Sequence, residues 1–112
     1  MGRTLVMDLD GTICATTRGG DAYFSADPIQ TVIYRVNELK SKGWTVIIHT
    51  ARGMNLYNGN LARIELEFRS RTEKWLRDNL VEYDQLIFGK PAGDVYVDDK
   101  GVSPLEFTSK DF

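Results

Sequence analysis

The residues of this chain best suited to chemistry are carboxylates, and two of them come almost at once. The stretch "RTLVMDLDGTIC", residues 3 to 14, runs an apolar segment straight into Asp8 and Asp10. Like charges that close together repel and raise each other's pKa. A fold that needed only a turn there could use Asn, Ser or Gly, so something positive or reactive is expected between them. A second acidic pair, Asp98 and Asp99, ends the later segment "DVYVDD". Carboxylates without His or Cys in the set describe a hard-cation site, and Mg2+ is the cation expected. It would offset the repulsion, keep a nucleophilic carboxylate ionised, and share its remaining positions with waters and phosphate oxygens. That points to phosphoryl chemistry. The hydroxyl of Thr50 and the ammonium of Lys90 supply what a phosphate then needs, a hydrogen bond and a point charge. Gly11 leaves the backbone room to turn under the phosphate, with adjacent N–H groups to line it. Asp8 as nucleophile would form an aspartyl-phosphate. Asp10 would protonate the leaving oxygen and later deprotonate the attacking water.

These residues need elements to hold them. "TLVMD" (4–8), "WTVIIHT" (44–50), "QLIFG" (85–89) and "DVYVD" (94–98) read as short strands. Helical spacing of Ile29, Val32, Ile33, Val36 and Leu39 predicts a first helix, with Asp27 as N-cap, Pro28 at its first position and Gly43 as its stop. A second helix is predicted between Asn60 and Asn79, with Leu61, Ile64, Phe68, Trp75 and Leu76 on one face. Arg63/Glu67, Glu67/Arg71 and Glu73/Arg77 fall at i,i+4 on the other. "SPLE" (103–106) reads as a capping box that opens a short third helix. Strands alternating with helices imply a mainly parallel sheet covered on both faces. Ligands bind such sheets beyond the carboxyl ends of the strands. Asp8 and Asp10, Thr50, Lys90, Asp98 and Asp99 all fall at that edge.

The 112 residues suit one domain, 1–112, with 42% hydrophobic and 27% charged residues, ordinary for a globular protein. A net charge of −2 gives no basic field for nucleic acid, so none is expected as a partner. The single cysteine, Cys14, forms no internal disulfide; it reads as a small buried side chain. No signal-peptide core or membrane-spanning run appears, so a cytoplasmic location is expected and no membrane.

"DLDGT" after the first strand, "HTAR" after the second, "GKP" after the third and "VYVDD" at the fourth resemble the four motifs of the haloacid dehalogenase superfamily, in order and spacing. The resemblance implies a Rossmann-like three-layer α/β/α sandwich with strand order 5-4-1-2-3. It implies Asp8 as nucleophile and Asp10 as general acid/base, and phosphate held by Thr50 and Lys90, with Gly11 and Ala51 beside them. Mg2+ would be bound by Asp8, the backbone carbonyl of Asp10 and an acid of the Asp98/Asp99 pair, Asp99 favoured. Only 16 residues (11–26) separate Asp10 from the first helix and about 40 separate Thr50 from Lys90, so neither insertion holds a cap domain. "LVMDLDGTIC", "TARGMNLYNGN", "GKP" and "YVDDKGVSPLEF" are also similar to small phosphatases associated with capsular polysaccharide biosynthesis. That implies a sugar phosphate or related small phosphoester as substrate. Arg52, Asn55 and Asn58, in a loop over the site, become possible substrate contacts. Lack of a cap makes a homo-oligomer a possible way to close the site.

Plainer readings stand beside these. Lys74 is a rival to Lys90 but lies within a helical pattern. His49 reads as a hydrogen-bonded neighbour of the site, and Trp44 and Trp75 as packing residues. Arg18 lies in a polar loop, "TTRGGDAY", that could meet substrate. A phosphate-accepting signalling domain would need an Asp at the end of the third strand, where "QLIFGK" has none. Two more functions compete with the small-substrate phosphatase: phosphatase action on a polymer end or a phosphoprotein, and silent phosphate binding without catalysis.

Overall fold

The structure, a computed structural model, describes residues 2–112. Its regular elements are strands β1 (Thr4–Met7), β2 (Thr45–Thr50) and β3 (Gln85–Phe88) and helices α1 (Gln30–Ser41), α2 (Leu61–Asp78) and α3 (Pro104–Ser109). A 3-10 helix over Gly20–Ser25 joins them within the segment read as a polar loop. The strands form one parallel sheet in the order β1-β2-β3. Val6 lies opposite Ile47, and His49 opposite Ile87. The mainly parallel α/β reading therefore holds, with helices between successive strands.

Alternation decides which side chains go inside. Met7 of β1, Val46, Ile48 and Thr50 of β2, and Leu86 and Phe88 of β3 are buried. They meet Val32, Ile33, Val36 and Leu39 of α1 and Ile64, Phe68, Trp75 and Leu76 of α2 in a single core. Each such aliphatic or aromatic side chain contributes roughly 1.5–3 kcal/mol through burial. On the other face Val6 and Ile87 remain 61% and 40% exposed, so this sheet surface is incompletely covered.

Two expectations about elements need correction. Residues 94–98 do not form a strand; they run as an irregular, exposed segment, and among the described residues β1 is an edge of the sheet. Helix α1 begins at Gln30, capped by the backbone of Ile29, so Asp27 is no cap and Pro28 no first helical residue. The cause is a competing pairing. Ala15 N donates to Asp27 O at 2.8 Å and Ile29 N to Ile13 O at 2.8 Å, which holds residues 27–29 extended against the chain that leaves β1. Gly43 does follow the helix end as expected, at φ +96°.

Helix α2 has Asn60 as N-cap, its side chain accepting from Arg63 N at 3.1 Å. Leu61 is half exposed, and Thr72 takes a buried position on the core face instead. Of the expected ion pairs Arg63–Glu67 forms at 3.2 Å, whereas Arg69 pairs with Glu65 and Glu73. The capping box of α3 is present on both sides, Ser103 with Glu106. No helix among the described residues is long and apolar enough to cross a membrane.

Candidate active site

Asp8 follows the last residue of β1, and the chain then turns sharply. The carbonyl of Leu9 accepts from the amides of Thr12, Ile13 and Cys14 at 3.2, 2.9 and 3.2 Å. Gly11 permits the turn by taking φ +79°, where a Cβ would stand 3.0 Å from Thr16 Oγ1. Its own N–H donates to Cys14 O at 2.7 Å. The amides of Gly11 and Thr12 are thus both bonded within the turn.

The two acids do have positive neighbours, one each. Lys90, just past β3, brings Nζ to 3.4 Å from Asp8 Oδ1. Its backbone N donates to Thr50 O at 3.2 Å, which ties the end of β3 to the end of β2. The ammonium also lies 4.1 Å from the centre of the Tyr96 ring. Asp10 is held by Arg52. Arg52 Nη2 donates to Asp10 Oδ1 at 2.9 Å and Nε to Oδ2 at 3.0 Å, a bidentate fork on both carboxylate oxygens. Arg52 is 1% exposed. Removing one partner of such a pair costs about 3–5 kcal/mol, because the other is left buried and uncompensated.

The guanidinium is itself boxed in. Nη1 donates to Thr72 Oγ1 at 3.4 Å and Nη2 to the carbonyl of Tyr23 at 3.3 Å. The rings of Tyr23 and Phe24 lie 4.6 and 5.8 Å from it. Its backbone N donates to Thr50 Oγ1 at 3.1 Å. Cys14 packs into the same corner, 3.5 Å from Asp10 Oδ1. Burial, aided by the charge of Asp10, pushes its thiol up to about 12. Burial and Asp10 likewise raise the phenol of Tyr23.

A cavity of about 720 Å³ opens over the end of β1, and Asp8, His49, Lys90, Tyr96 and Asp98 are among its walls. Asp8, Lys90 and Asp98 are thus brought together. Thr50 is not on this wall; it is fully buried, its hydroxyl accepting from Arg52 N. Asp99 is not on it either. Arg52 lies inside the protein with its guanidinium on Asp10. Asn55 lines a separate cavity of about 600 Å³ with Arg18, Tyr23 and Gly53, and Asn58 occupies a left-handed turn position at φ +49°. Ala51 is half-buried next to Thr50. Among the described residues no three Asp, Glu, His or Cys side chains gather as a group able to hold a metal. Asp8 and Asp98 offer hard oxygen donors to one cavity, which suits Mg2+ in kind, and water would complete such a sphere.

Sequence reasoning missed Thr72, Tyr23 and Phe24. Thr72 carried a signal: it is a polar residue four places after Phe68, on the stripe that α2 buries. Tyr23 and Phe24 lay in a segment whose glycines read as loop.

Neither a protein-family profile nor a curated protein matches the sequence. Among solved structures, the chain is similar to an MCSG target from Vibrio cholerae, with 33% identity over 97% of this chain and 89% of that one, TM-score 0.91. A chain of the Pnkp1/Rnl/Hen1 complex shares 20% identity over 88% of this chain but 31% of its own length, TM-score 0.60. A D,D-heptose 1,7-bisphosphate phosphatase from B. bronchiseptica, crystallised with magnesium and phosphate, shares 17% identity over 89% of this chain and 54% of its own, TM-score 0.51. The last two likenesses are of fold alone, a haloacid-dehalogenase-like one. The first goes further: this chain belongs to one family with the Vibrio cholerae protein.

Proposed function

We propose that this member of that family is a Mg2+-dependent phosphomonoesterase working through Asp8, on a small phosphorylated metabolite such as a sugar phosphate. The observation that carries the reading is the pair Asp8 and Asp10 at the end of a strand, each with its own cation, beside a cavity that Lys90 and Asp98 share. Asp8 attacks phosphorus; the bond to the leaving oxygen breaks and that oxygen takes a proton from Asp10. Water then attacks the aspartyl-phosphate, gives its proton to Asp10, and inorganic phosphate leaves with Asp8 restored. Lys90 shifts its charge from Asp8 to the phosphate oxygens as substrate enters. Thr50, with Gly11 and Ala51 beside it, would meet the phosphate once the loop after β2 adjusts. Asp8, the carbonyl of Asp10 and Asp98 or Asp99 would hold Mg2+, which when bound would supply charge neutralisation for the transferred group.

The finer fold belongs to the same proposal. It is the three-layer α/β/α sandwich with strand order 5-4-1-2-3 that the family resemblance implies. A capless, cytoplasmic enzyme, with a second copy of the chain helping to close the site, completes it.

The test is phosphate release from sugar phosphates, nucleotides, a 3′-phosphorylated oligonucleotide, a phosphopeptide and an aryl phosphate, with and without Mg2+, beside Asp8→Asn. Turnover that needs both metal and Asp8 supports the reading. Activity confined to the oligonucleotide or phosphopeptide would move the substrate to a polymer end or phosphoprotein. Full activity in Asp8→Asn would refute the mechanism.

A further inference from the structure

We propose that Arg52 is a positioning residue, fixing the Asp10 carboxylate for proton transfer without touching substrate; this rests on the phosphatase reading above. Being 1% exposed, Arg52 has no surface to offer a ligand. A carboxylate turns freely about its terminal torsion, which has broad preferences. One hydrogen bond leaves that turning possible; two nearly parallel ones, to Oδ1 at 2.9 Å and Oδ2 at 3.0 Å, set the carboxylate plane. An ionised carboxylate has about four acceptor positions. The fork takes two of them from the protein side, so the proton that Asp10 passes to the leaving-group oxygen is carried on a lone pair facing away from Arg52.

The fork cannot drift, because its far side is bonded to Thr72 Oγ1 and the Tyr23 carbonyl and stacked on the Tyr23 ring. Stability alone explains such an arrangement poorly. Well-packed apolar residues commonly replace a buried ion pair at no loss. The arginine keeps the acid group in one orientation beside the nucleophile. Lysine offers a point charge and no fork, so it cannot substitute.

The experiment compares kcat/KM for two substrates of nearly equal shape and unequal leaving group, para-nitrophenyl phosphate and phenyl phosphate. This ratio covers the steps through departure of the first product. Phenol, with a pKa of about 10 like tyrosine, needs the proton that nitrophenolate can do without. Arg52→Lys is expected to lower kcat/KM for phenyl phosphate by about 100-fold, the low end of what a placed acid supplies, and for the nitrophenyl ester by less than about 10-fold. Thr72→Val, close in shape and lacking the hydroxyl that holds Nη1, is expected to move the two substrates in the same unequal sense by a smaller factor. It carries the test if Arg52→Lys does not fold by circular dichroism. Equal losses on both esters in a folded variant, or no loss, would overturn the positioning role while leaving the phosphatase reading intact. A wild-type protein inactive on both esters and on the sugar phosphates overturns the two together.

Discussion

Replacing Gly53 by alanine probes the packing beneath the site with one added methyl group. Gly53 has φ +79°, and a Cβ there would stand 2.7 and 2.9 Å from Phe68 ring carbons and 3.0 Å from Ile64 Cγ1. Phe68 has nowhere to swing: it is buried, and Tyr23, Phe24 and Tyr57 surround its ring at centroid distances of 5.8, 5.7 and 5.8 Å. A left-handed backbone costs a residue with a Cβ about 1–2 kcal/mol. Overpacking a filled core costs about 1–3 kcal/mol more. The expected loss is the sum, about 2–5 kcal/mol, a large share of the ~5–15 kcal/mol that holds a domain folded. At about 4 °C per kcal/mol for a domain of this size, Tm falls by roughly 8–20 °C.

Gly20→Ala is the control, since Gly20 also has a positive φ, +59°, but its Cβ would meet nothing within 4 Å. It carries the backbone strain without the clash. Thermal unfolding followed by circular dichroism measures both variants. A Gly53→Ala midpoint within error of Gly20→Ala would refute the claim that Phe68 is locked. Confirmation would have a second meaning, because two of the rings that lock Phe68, Tyr23 and Phe24, also lie against Arg52.

Two further outcomes follow from titration. Cys14, fully buried with a thiol pushed up to about 12, should not react with Ellman's reagent at pH 8 in the native protein and should react fully in denaturant; native reactivity at the rate of a free thiol would mean that the Asp10 corner is open. Asp84 accepts from Val46 N at 2.7 Å and pairs with Lys40 at 2.9 Å, and these two interactions hold its carboxyl below the ordinary 3.8. A lowered folded-state value stabilises the fold above the unfolded value and the benefit is lost as pH falls through the folded one. Asp84→Asn should therefore unfold at lower urea than wild type at pH 7, with the gap closing below pH ~3.8, and a constant gap across that range would refute the assignment.

The strands that carry the site were legible because their signals are local. The apolar runs at 4–8, 44–50 and 85–89 each had enough β-branched and aromatic residues to mark a buried strand, and the capping box at Ser103 carried its geometry in four residues. Asp27–Pro28 misled because good capping chemistry lost to a distant partner: Ile13 and Ala15 pair with residues 27–29, and no local rule contains that contact. Residues 94–98 have the alternation of a strand, but alternation does not create a ladder; Lys90 and the Tyr96 hydroxyl, bonded to Pro91 O at 2.6 Å, hold the preceding turn out in solvent. At the site, residue types announced Asp8, Asp10 and Lys90. Arg52 was visible as a residue but not as a buried one, because an arginine's burial depends on Thr72 and Tyr23, 20 and 29 positions away in the chain.

The two carboxylates that open the chain are neutralised unequally, in the sense that the proposed roles require. Lys90 stands 3.4 Å from Asp8, longer than the ~2.7–2.9 Å of a strong charge-assisted bond, with both side chains partly open to solvent. A flexible ammonium in that position gives way readily to a phosphate or a cation. Arg52 holds Asp10 at 2.9 and 3.0 Å through a rigid fork whose side chain is wholly enclosed. No small ligand reaches it to exchange. A nucleophile must be released from its partner to attack, whereas a proton-transfer group must keep its orientation through two successive steps. The loosely paired acid is Asp8, on the cavity wall; the tightly clamped one is Asp10, behind it. Under the proposed mechanism, Lys90→Arg would hold the nucleophile too firmly, and loosening the Arg52 fork would free the proton-transfer group.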